Sequence, residues 1–173
     1  AAIAREFNLL IIEDASHAIG ATHNYEEDQS KIGACRYSDA CVFSFHAVKP
    51  VTAGEGGAIT TNSADLAKKL RNLISHGITK QKNDFFTIPP VDFWYEMQDL
   101  GFNYRITEIQ AALLCSQLSK LDILQRKRTE LVNLYRELLF DTELALQKHP
   151  PHQISANHLA VIDTKNKRQE IVG

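Results

Sequence analysis

The sequence predicts an α/β fold, because short apolar segments typical of strands alternate with segments of helical spacing. The apolar run at residues 8–13 ends in an acidic residue and is typical of a strand buried on both faces of a parallel sheet. Residues 40–45 and 57–61 are two further strand candidates. We therefore expect a sheet of three strands, which is narrow for a complete core.

Two helical regions follow the strands, and each begins at a recognisable cap. Ser63 can cap a helix over residues 64–75, which has an acidic residue in its first turn. Thr107 and Gln110 have the spacing of a capping box and predict a second helix start. Leucines at helical spacing continue to about residue 140, so we expect a long helical region with room for a bend.

The other segments predict mainly irregular structure. Proline and glycine exclude regular structure at residues 46–56, between the second and third strands. An irregular segment as long as 76–103 is uncommon and is usually functional. We also expect an exposed polar loop at 22–31, a linker at 147–152, a strand at 157–163 and a helix start at 165–173.

Composition and charge exclude several classes of function. Of the residues, 44% are hydrophobic and 23% are charged, and the net charge of -2 does not suit a nucleic-acid or anionic-membrane partner. No apolar run approaches the ~20 residues that span a bilayer. The first residues lack a basic leader, so we expect a cytoplasmic protein without a signal peptide.

The cysteines exclude a disulfide framework and a structural zinc site. Cys35, Cys41 and Cys115 are an odd number, and no two of them form a C-x-x-C pair. We expect small buried thiols in a reducing compartment, and no metal.

Asp14 and Lys49 are the two residues whose positions indicate chemistry. Asp14 follows a buried strand at its carboxyl end, where α/β sheets bind their ligands. Lys49 is flanked by apolar and aromatic residues, and such a setting favours the neutral amine that forms an imine with a carbonyl. Taken alone, Asp14 could instead cap a turn, and Lys49 could be a solvated surface lysine.

A hydroxyl and a glycine-rich turn accompany this pair. Ser44 lies five residues before Lys49 and could bind a phosphate, or could bond only to backbone at a strand end. The sequence GEGG after Lys49 allows the backbone to approach a ligand closely. An amine, a carboxylate and a phosphate-binding hydroxyl are what a protein contributes to pyridoxal catalysis.

Five segments in this order resemble the DegT/DnrJ/EryC1/StrS sugar aminotransferases, which depend on pyridoxal phosphate (PLP). The segments are EDASHAIGA, SFHAVKPVTAGEGGAITTN, SHG, GFNYRITEIQAAL and NHLAVI. The resemblance covers nearly the whole chain, but family members are about twice as long. It therefore implies that this chain is a piece of such an enzyme.

The resemblance also implies a domain organisation. Residues 1–120 would belong to the three-layer α/β/α large domain of PLP fold type I, which is like aspartate aminotransferase. Residues 121–173 would be a connecting helix and the beginning of a small α+β domain.

The family's cofactor residues can be carried over position by position. The resemblance implies that Lys49 carries the cofactor and moves protons, and that Asp14 pairs with the pyridine nitrogen. Ser44 would bind the cofactor phosphate. Asn103 would reach the phosphate in the neighbouring subunit of a homodimer with shared active sites. His17 departs from the glutamine of many members, but could still stack on or hydrogen-bond the ring.

The resemblance also implies a substrate. Arg105 and His46 would bind a nucleotide sugar. The segments EDASHAIGA and FSFHAVKP are most similar to members of the pseudaminic acid pathway. Those members aminate C4 of a UDP-linked 4-keto-6-deoxy-N-acetylhexosamine for cell-surface or flagellar glycans, with glutamate as amino donor.

Three other hypotheses compete with this one. The chain could be a catalytically incomplete fragment that acts only as a folded or partner-binding module. A nucleotide-binding α/β module is disfavoured, because the sequence has no G-x-G-x-x-G or G-K-[ST] loop. A metal hydrolase is disfavoured because His17, His23, His46 and His76 lack the spacing of a helical zinc site.

Overall fold

The computed structural model of the chain describes residues 2–25, 28–165 and 168–172. Its helices are α1 (Ala2–Glu6), α2 (Ala64–Leu73), α3 (Glu108–Leu118), α4 (Leu121–Leu138) and α5 (Arg168–Val172), with a 3₁₀ turn at Lys82–Asp84. Its strands are β1 (Ile12–Asp14), β2 (Thr22–Tyr25), β3 (Asp28–Lys31), β4 (Ala40–Ser44), β5 (Gly57–Thr60), β6 (Ile78–Thr79), β7 (Glu96–Met97), β8 (Ala145–Leu146), β9 (Gln153–Ile154) and β10 (Ile162–Asp163). The predicted α/β class is confirmed.

The sheet that positions the site has the order β1-β4-β5. Strands β1 and β4 are parallel, with Asp14 opposite Val42. Strands β4 and β5 are antiparallel, with Ser44 opposite Gly57. The predicted second and third strands are therefore confirmed, and the last residues of β1 and β4 lie at one edge of the sheet.

The prediction for the first strand was wrong in length and in burial. Residues 8–11 are not in a strand. The Leu9 N–H donates to the Ala4 carbonyl of α1 at 2.8 Å, Asn8 has a left-handed φ of 49°, and the Ile11 N–H donates to the Asp39 carboxylate at 2.7 Å. Ile12, within β1, is 68% exposed. One side of this strand is therefore open to solvent in the described structure.

The core lies on one face of β4. Cys41, Phe43 and Phe45 alternate along the chain, and all three are buried, as the twofold period of a strand requires. Val51 and Ala53 pack into the same cluster from the turn that follows β4. The turn that carries Lys49 is therefore attached to the core by its own apolar residues.

The cysteine predictions are confirmed at two positions of three. Cys35 and Cys41 are buried free thiols, and burial raises the pKa of Cys41 to about 11. Cys115 is also free but is exposed on α3, so the prediction of a buried thiol was wrong there. The helical pattern did not show which face of α3 would meet the core.

The predicted polar loop at 22–31 is instead a β-hairpin, with residues 26–27 outside the described part of the chain. Strand β2 pairs with β3 on one side, with Thr22 opposite Lys31. On its other side β2 pairs with β9, which joins Thr22 to Ile154. Backbone hydrogen bonds on both sides of β2 stabilise this hairpin, although its polar sequence is typical of a loop.

The helix caps are as predicted, but the long helical region is divided. The Ser63 hydroxyl accepts from the Leu66 N–H at 3.2 Å and begins α2. Both halves of the capping box are formed, since Thr107 and Gln110 bond to each other's backbone N–H. The helical region is interrupted at residues 119–120, between α3 and α4, which agrees with the expected bend.

The long segment 76–103 is mostly irregular, as predicted, and is fastened to the end of α2. The His76 N–H donates to the Phe102 carbonyl at 2.8 Å, and the Phe102 N–H donates to the Leu73 carbonyl at 2.6 Å. Gly77 packs directly against the backbone of Asp99 and Gly101. Strands β6 and β7 add one short antiparallel pair.

The C-terminal segment contains short antiparallel pairing. Strand β10 pairs with β8, so the predicted strand at 157–163 is formed only at its end. Asn157 has a left-handed φ of 50°, which interrupts a strand. The predicted helix start is α5, while residues 166–167 and 173 lie outside the described residues. Within the described chain, no helix is long and apolar enough to cross a membrane.

Replacing Gly77 by Ala is expected to destabilise the protein by about 3 kcal/mol or more. The added Cβ would overlap the Asp99 carbonyl, and φ is 65°. Gly54 is the matched control, since its φ is 79° but nothing lies within 4 Å of the added Cβ. Gly54→Ala should cost roughly 1 kcal/mol. Urea unfolding measures both, and equal losses would contradict the close packing at Gly77.

Candidate active site

Asp14 is the last residue of β1 and is held by the turn that follows. Its Oδ1 accepts hydrogen bonds from the Ser16 N–H at 3.0 Å and from the Ser16 hydroxyl at 2.5 Å. These bonds lower the pKa of Asp14 below its usual value, and the positive charges of His17 and Lys49 add to the effect. Asp14 is therefore an ionised carboxylate at neutral pH.

Lys49 lies in a turn that is closed on the end of β4. The Lys49 N–H donates to the His46 carbonyl at 2.9 Å, which forms the turn. Farther along, the Ala53 N–H donates to the Phe45 carbonyl at 2.9 Å. Val51 between them is fully buried. The half-buried lysine is thus presented by a rigid turn that has no regular secondary structure.

In the structure, Asp14, His17 and Lys49 lie close enough together to interact electrostatically. Lys49 and His17 both act on the carboxylate of Asp14. Ser44 ends the neighbouring strand, and its Oγ accepts from the His46 N–H at 3.4 Å. Its hydroxyl hydrogen has no acceptor within the described ranges, so it can donate to a ligand. These four predicted residues lie around the carboxyl ends of β1 and β4.

His46 lies at the exposed rim of this turn. Its Nδ1 accepts from the Val48 N–H at 3.4 Å, and its Nε2 lies 3.6 Å from a carboxylate oxygen of Glu55. The Gln110 side chain, which also completes the capping box, donates to the Glu55 carbonyl at 3.1 Å. The capping box thereby connects the start of α3 to the glycine-rich turn after Lys49.

Asn103 and Arg105 are exposed and lie on the segment that is fastened to the end of α2. Ser75 forms an isolated backbone bridge with Asn103, and the Tyr104 N–H donates to the Ile74 carbonyl at 2.9 Å. Across the described residues, no hydrogen bond or ion pair joins either side chain to Asp14, His17 or Lys49. The structure therefore does not bring these two predicted residues into the group around Lys49.

Two residues near Lys49 were missed by sequence reasoning. The ring of His158 lies 4.5 Å from the ring of His17, measured between centroids. The guanidinium of Arg128 donates to the Ala156 carbonyl at 3.3 Å and to the Pro50 carbonyl at 3.5 Å. His158 had a signal in the sequence, as it belongs to the segment NHLAVI. Arg128 had none, because charged residues are common on an amphipathic helix such as α4.

A large cavity of about 870 Å³ lies elsewhere, between β5, α2 and the segment before α3. Arg105 lines this cavity, but Asp14, Ser44 and Lys49 do not. Its walls are mainly apolar, from residues such as Val42, Ile59 and Leu70. The size of this cavity therefore does not mark the chemical site.

The groups around Lys49 fit pyridoxal phosphate by their chemistry. The cofactor needs an amine for its carbonyl, an anion for its pyridinium and hydrogen-bond donors for its phosphate. Lys49, Asp14 and Ser44 supply one group of each kind on two adjacent strand ends. No three His, Cys, Asp or Glu side chains in the described part of the chain are placed to hold a metal ion.

A family model and many curated relatives match this chain, among them a transaminase and a synthase. The model of the DegT/DnrJ/EryC1/StrS aminotransferase family matches residues 1–173. The UDP-4-amino-4,6-dideoxy-N-acetyl-beta-L-altrosamine transaminase of Campylobacter jejuni is 36% identical over 159 residues, which are 91% of this chain and 38% of the relative. The GDP-perosamine synthase of Caulobacter vibrioides is 39% identical over 137 residues, which are 79% of this chain and 32% of the relative.

The fold is also found in a solved aminotransferase. The structure of Helicobacter pylori PseC, an aminotransferase involved in the biosynthesis of pseudoaminic acid, superposes with a TM-score of 0.78 at 34% identity. The match covers 99% of this chain and 43% of that one. This chain therefore spans well under half the length of these relatives.

Ser16→Ala is expected to raise the pKa of Asp14 toward its ordinary value, because the hydroxyl bond is the largest cause of the lowering. The backbone bond from residue 16 remains, so part of the lowering should persist. A lowered carboxyl pKa stabilises the fold above the unfolded value and is lost as pH falls through the folded value. The variant should therefore lose part of this stability at neutral pH, and its difference from the wild type should disappear as pH falls through the folded pKa of Asp14.

Carbon-13 NMR titration of the aspartate carboxyls measures this shift. Ser119→Ala is the control, because that hydroxyl donates to the Ser116 carbonyl at the end of α3, away from Asp14. An unchanged Asp14 titration in Ser16→Ala would show that the hydroxyl does not hold the carboxylate.

Proposed function

The chain belongs to the DegT/DnrJ/EryC1/StrS aminotransferase family, and on this premise we propose that the protein is a pyridoxal-phosphate-dependent sugar aminotransferase. The observation that carries the proposal is the position of Lys49. A half-buried lysine is presented by a rigid turn, beside an ionised carboxylate, at the carboxyl ends of two parallel strands. This is where α/β sheets bind their ligands.

In this proposal Lys49 and Asp14 are the catalytic residues. Lys49 would hold the cofactor covalently through Nζ, and would then carry protons between carbon atoms of cofactor and substrate. Asp14 would keep the pyridine nitrogen protonated. When bound, the cofactor supplies an electron sink for the negative charge that develops as a C–H bond breaks. The low pKa of Asp14 supports its role, because only an ionised carboxylate stabilises the pyridinium proton.

Ser44 would bind the phosphate of the cofactor, and His17 would contact its ring. The hydroxyl of Ser44 can donate to a phosphate oxygen, and its position at the end of β4 places it next to the turn that carries Lys49. His17 follows Asp14 in the next turn of chain and would lie against the ring. Its imidazole can stack or donate a hydrogen bond, which are also the contacts that a glutamine amide can make.

The proposed substrate is a nucleotide-linked keto sugar. We propose transamination at C4 of a UDP-4-keto-6-deoxy-N-acetylhexosamine, with glutamate as amino donor, in the synthesis of cell-surface or flagellar glycans. The relative from Campylobacter jejuni is named for a UDP-linked amino sugar of this kind. Arg105 and His46 would bind the substrate, since a guanidinium suits the phosphates and an imidazole suits the sugar hydroxyls.

We further propose a homodimer with shared active sites. Asn103 and Arg105 are exposed on a segment rich in exposed aromatic side chains, among them Phe93 and Tyr104. Exposed aromatic patches of this kind are typical of protein interfaces. The separation of Asn103 from the group around Lys49 supports an action on the partner's site. The competing hypothesis is that the isolated chain is only a folded or partner-binding module.

The direct test is chemical mapping of the cofactor lysine in the full-length protein. Borohydride reduction of the protein with bound PLP should leave a pyridoxyl group on the peptide that contains Lys49. Lys49→Ala should abolish the adduct and reduce transamination by several orders of magnitude, whereas the exposed Lys80→Ala should change neither. An adduct on Lys80 or Lys31 would refute the assignment, and no adduct would favour the module.

Subunit complementation tests the shared site. Asn103→Ala should weaken cofactor retention without splitting the dimer. After subunit exchange, a heterodimer of Asn103→Ala with Lys49→Ala has one intact site, because Lys49 and Asn103 come from different chains. Activity of the mixture should therefore exceed that of either variant alone.

Two controls make this result interpretable. Isotope-labelled subunits and native mass spectrometry establish that exchange has occurred. A mixture of Asp14→Ala with Lys49→Ala should show no such gain, because both residues belong to one site. Equal activity in the two mixtures would place Asn103 in the site of its own chain.

A further inference from the structure

The segment 155–158 is fixed beside the Lys49 turn by contacts with α4. Ala156 is 2% exposed, and its carbonyl accepts from Arg128 Nε at 3.3 Å. The next residue, Asn157, donates from its side chain to the Thr129 hydroxyl at 3.1 Å. The same Arg128 guanidinium donates to the Pro50 carbonyl at 3.5 Å, directly after Lys49. One arginine thus bonds both the Lys49 turn and the segment that carries His158.

The imidazole of His158 packs edge-to-face against the imidazole of His17. The ring centroids are 4.5 Å apart, and the ring planes make an angle of 66°. This is a favoured geometry for two aromatic rings, because the positive edge of one ring meets the negative face of the other. The contact joins two segments that lie far apart in the sequence, and it restricts the orientation of both rings.

Burial and nearby cations keep His158 neutral. Its pKa is lowered first by burial and then by His17, Lys49 and Arg128. The groups that face it are therefore cations or can become cations, and a proton on His158 would be repelled by all of them. A neutral imidazole at position 158 can keep the edge-to-face contact with His17 without adding a charge to this cluster.

We propose that His158 is a positioning residue of the Lys49 site, which orients the ring of His17 by edge-to-face packing. This rests on the proposed function, in which His17 lies against the cofactor ring. The assignment gives a role to the histidine of NHLAVI, which the cofactor contacts above do not use. It also extends the site to a residue of the C-terminal segment.

The first arm of the test needs no cofactor. In full-length protein labelled with carbon-13 at histidine Cε1, His17 and His158 should show cross-relaxation between their ring protons. His158→Ala should move the His17 signal, because a ring current is lost, whereas His158→Phe should keep most of that ring current. Phe86→Ala, which removes an exposed aromatic ring on the segment 76–103, should leave the His17 signal in place.

The second arm measures retention of added PLP in the same proteins. His158→Ala should weaken retention about two- to ten-fold, the range expected from one aromatic pair contact, and His158→Phe should restore most of it. An unchanged His17 signal in His158→Ala would overturn the proposal, as would equal losses of retention in the Ala and Phe variants. The wild-type cross-relaxation decides the contact even where His158→Ala does not fold.

The two proposals fail in different ways. Wild-type protein that binds no PLP, or binds it at another lysine, overturns the proposed function, while the cofactor-free spectra still decide whether His158 orients His17. Normal labelling of Lys49 with no response of His17 to His158 substitution overturns only the positioning role.

Discussion

The shape of the Lys49 turn depends on the backbone of Phe45. The Phe45 N–H donates to the Gly56 carbonyl at 2.8 Å, and the Phe45 carbonyl accepts from the Ala53 N–H and the Thr52 hydroxyl. These bonds close the loop from both sides at the point where β4 ends. Because the residues between them are partly buried in the core, the loop cannot rotate without exposing apolar surface. A lysine in such a loop keeps a fixed backbone position, which proton transfer between fixed carbon atoms requires.

Two titratable groups near this turn, Asp14 and His158, are held in different charge states. Hydrogen bonds from Ser16 and nearby cations lower the pKa of Asp14 and keep it ionised. Burial and cations lower the pKa of His158 and keep it neutral. The positive charge of Lys49 therefore acts on both groups, since it stabilises the anion of Asp14 and disfavours a proton on His158.

The sequence was sufficient to predict elements that depend on local physics. The caps at Ser63 and Thr107 and the strands β4 and β5 follow from residue types within a few positions, and these predictions are confirmed. The hairpin of β2 and β3 was missed because its polar residues are held by pairing with β9, which is far away in the sequence. The neighbours His17 and His158 were not paired for the same reason. Contacts between distant segments have no local signal, and the resemblance gave the segment NHLAVI without a role for its histidine.

The contacts that complete the site cross the proposed domain division between residues 120 and 121. Leu121 begins α4 and packs against the core cluster, while Arg128 on the same helix reaches the Pro50 carbonyl. At 3.5 Å that hydrogen bond is long, so packing of α4 contributes more to the attachment than the bond does. Any movement of residues 121–173 relative to residues 1–120 must therefore either carry the Lys49 turn along with α4 or separate the two. Since His158 lies on this segment and its ring contacts His17, a shift of the segment would change the orientation of the imidazole at the proposed cofactor.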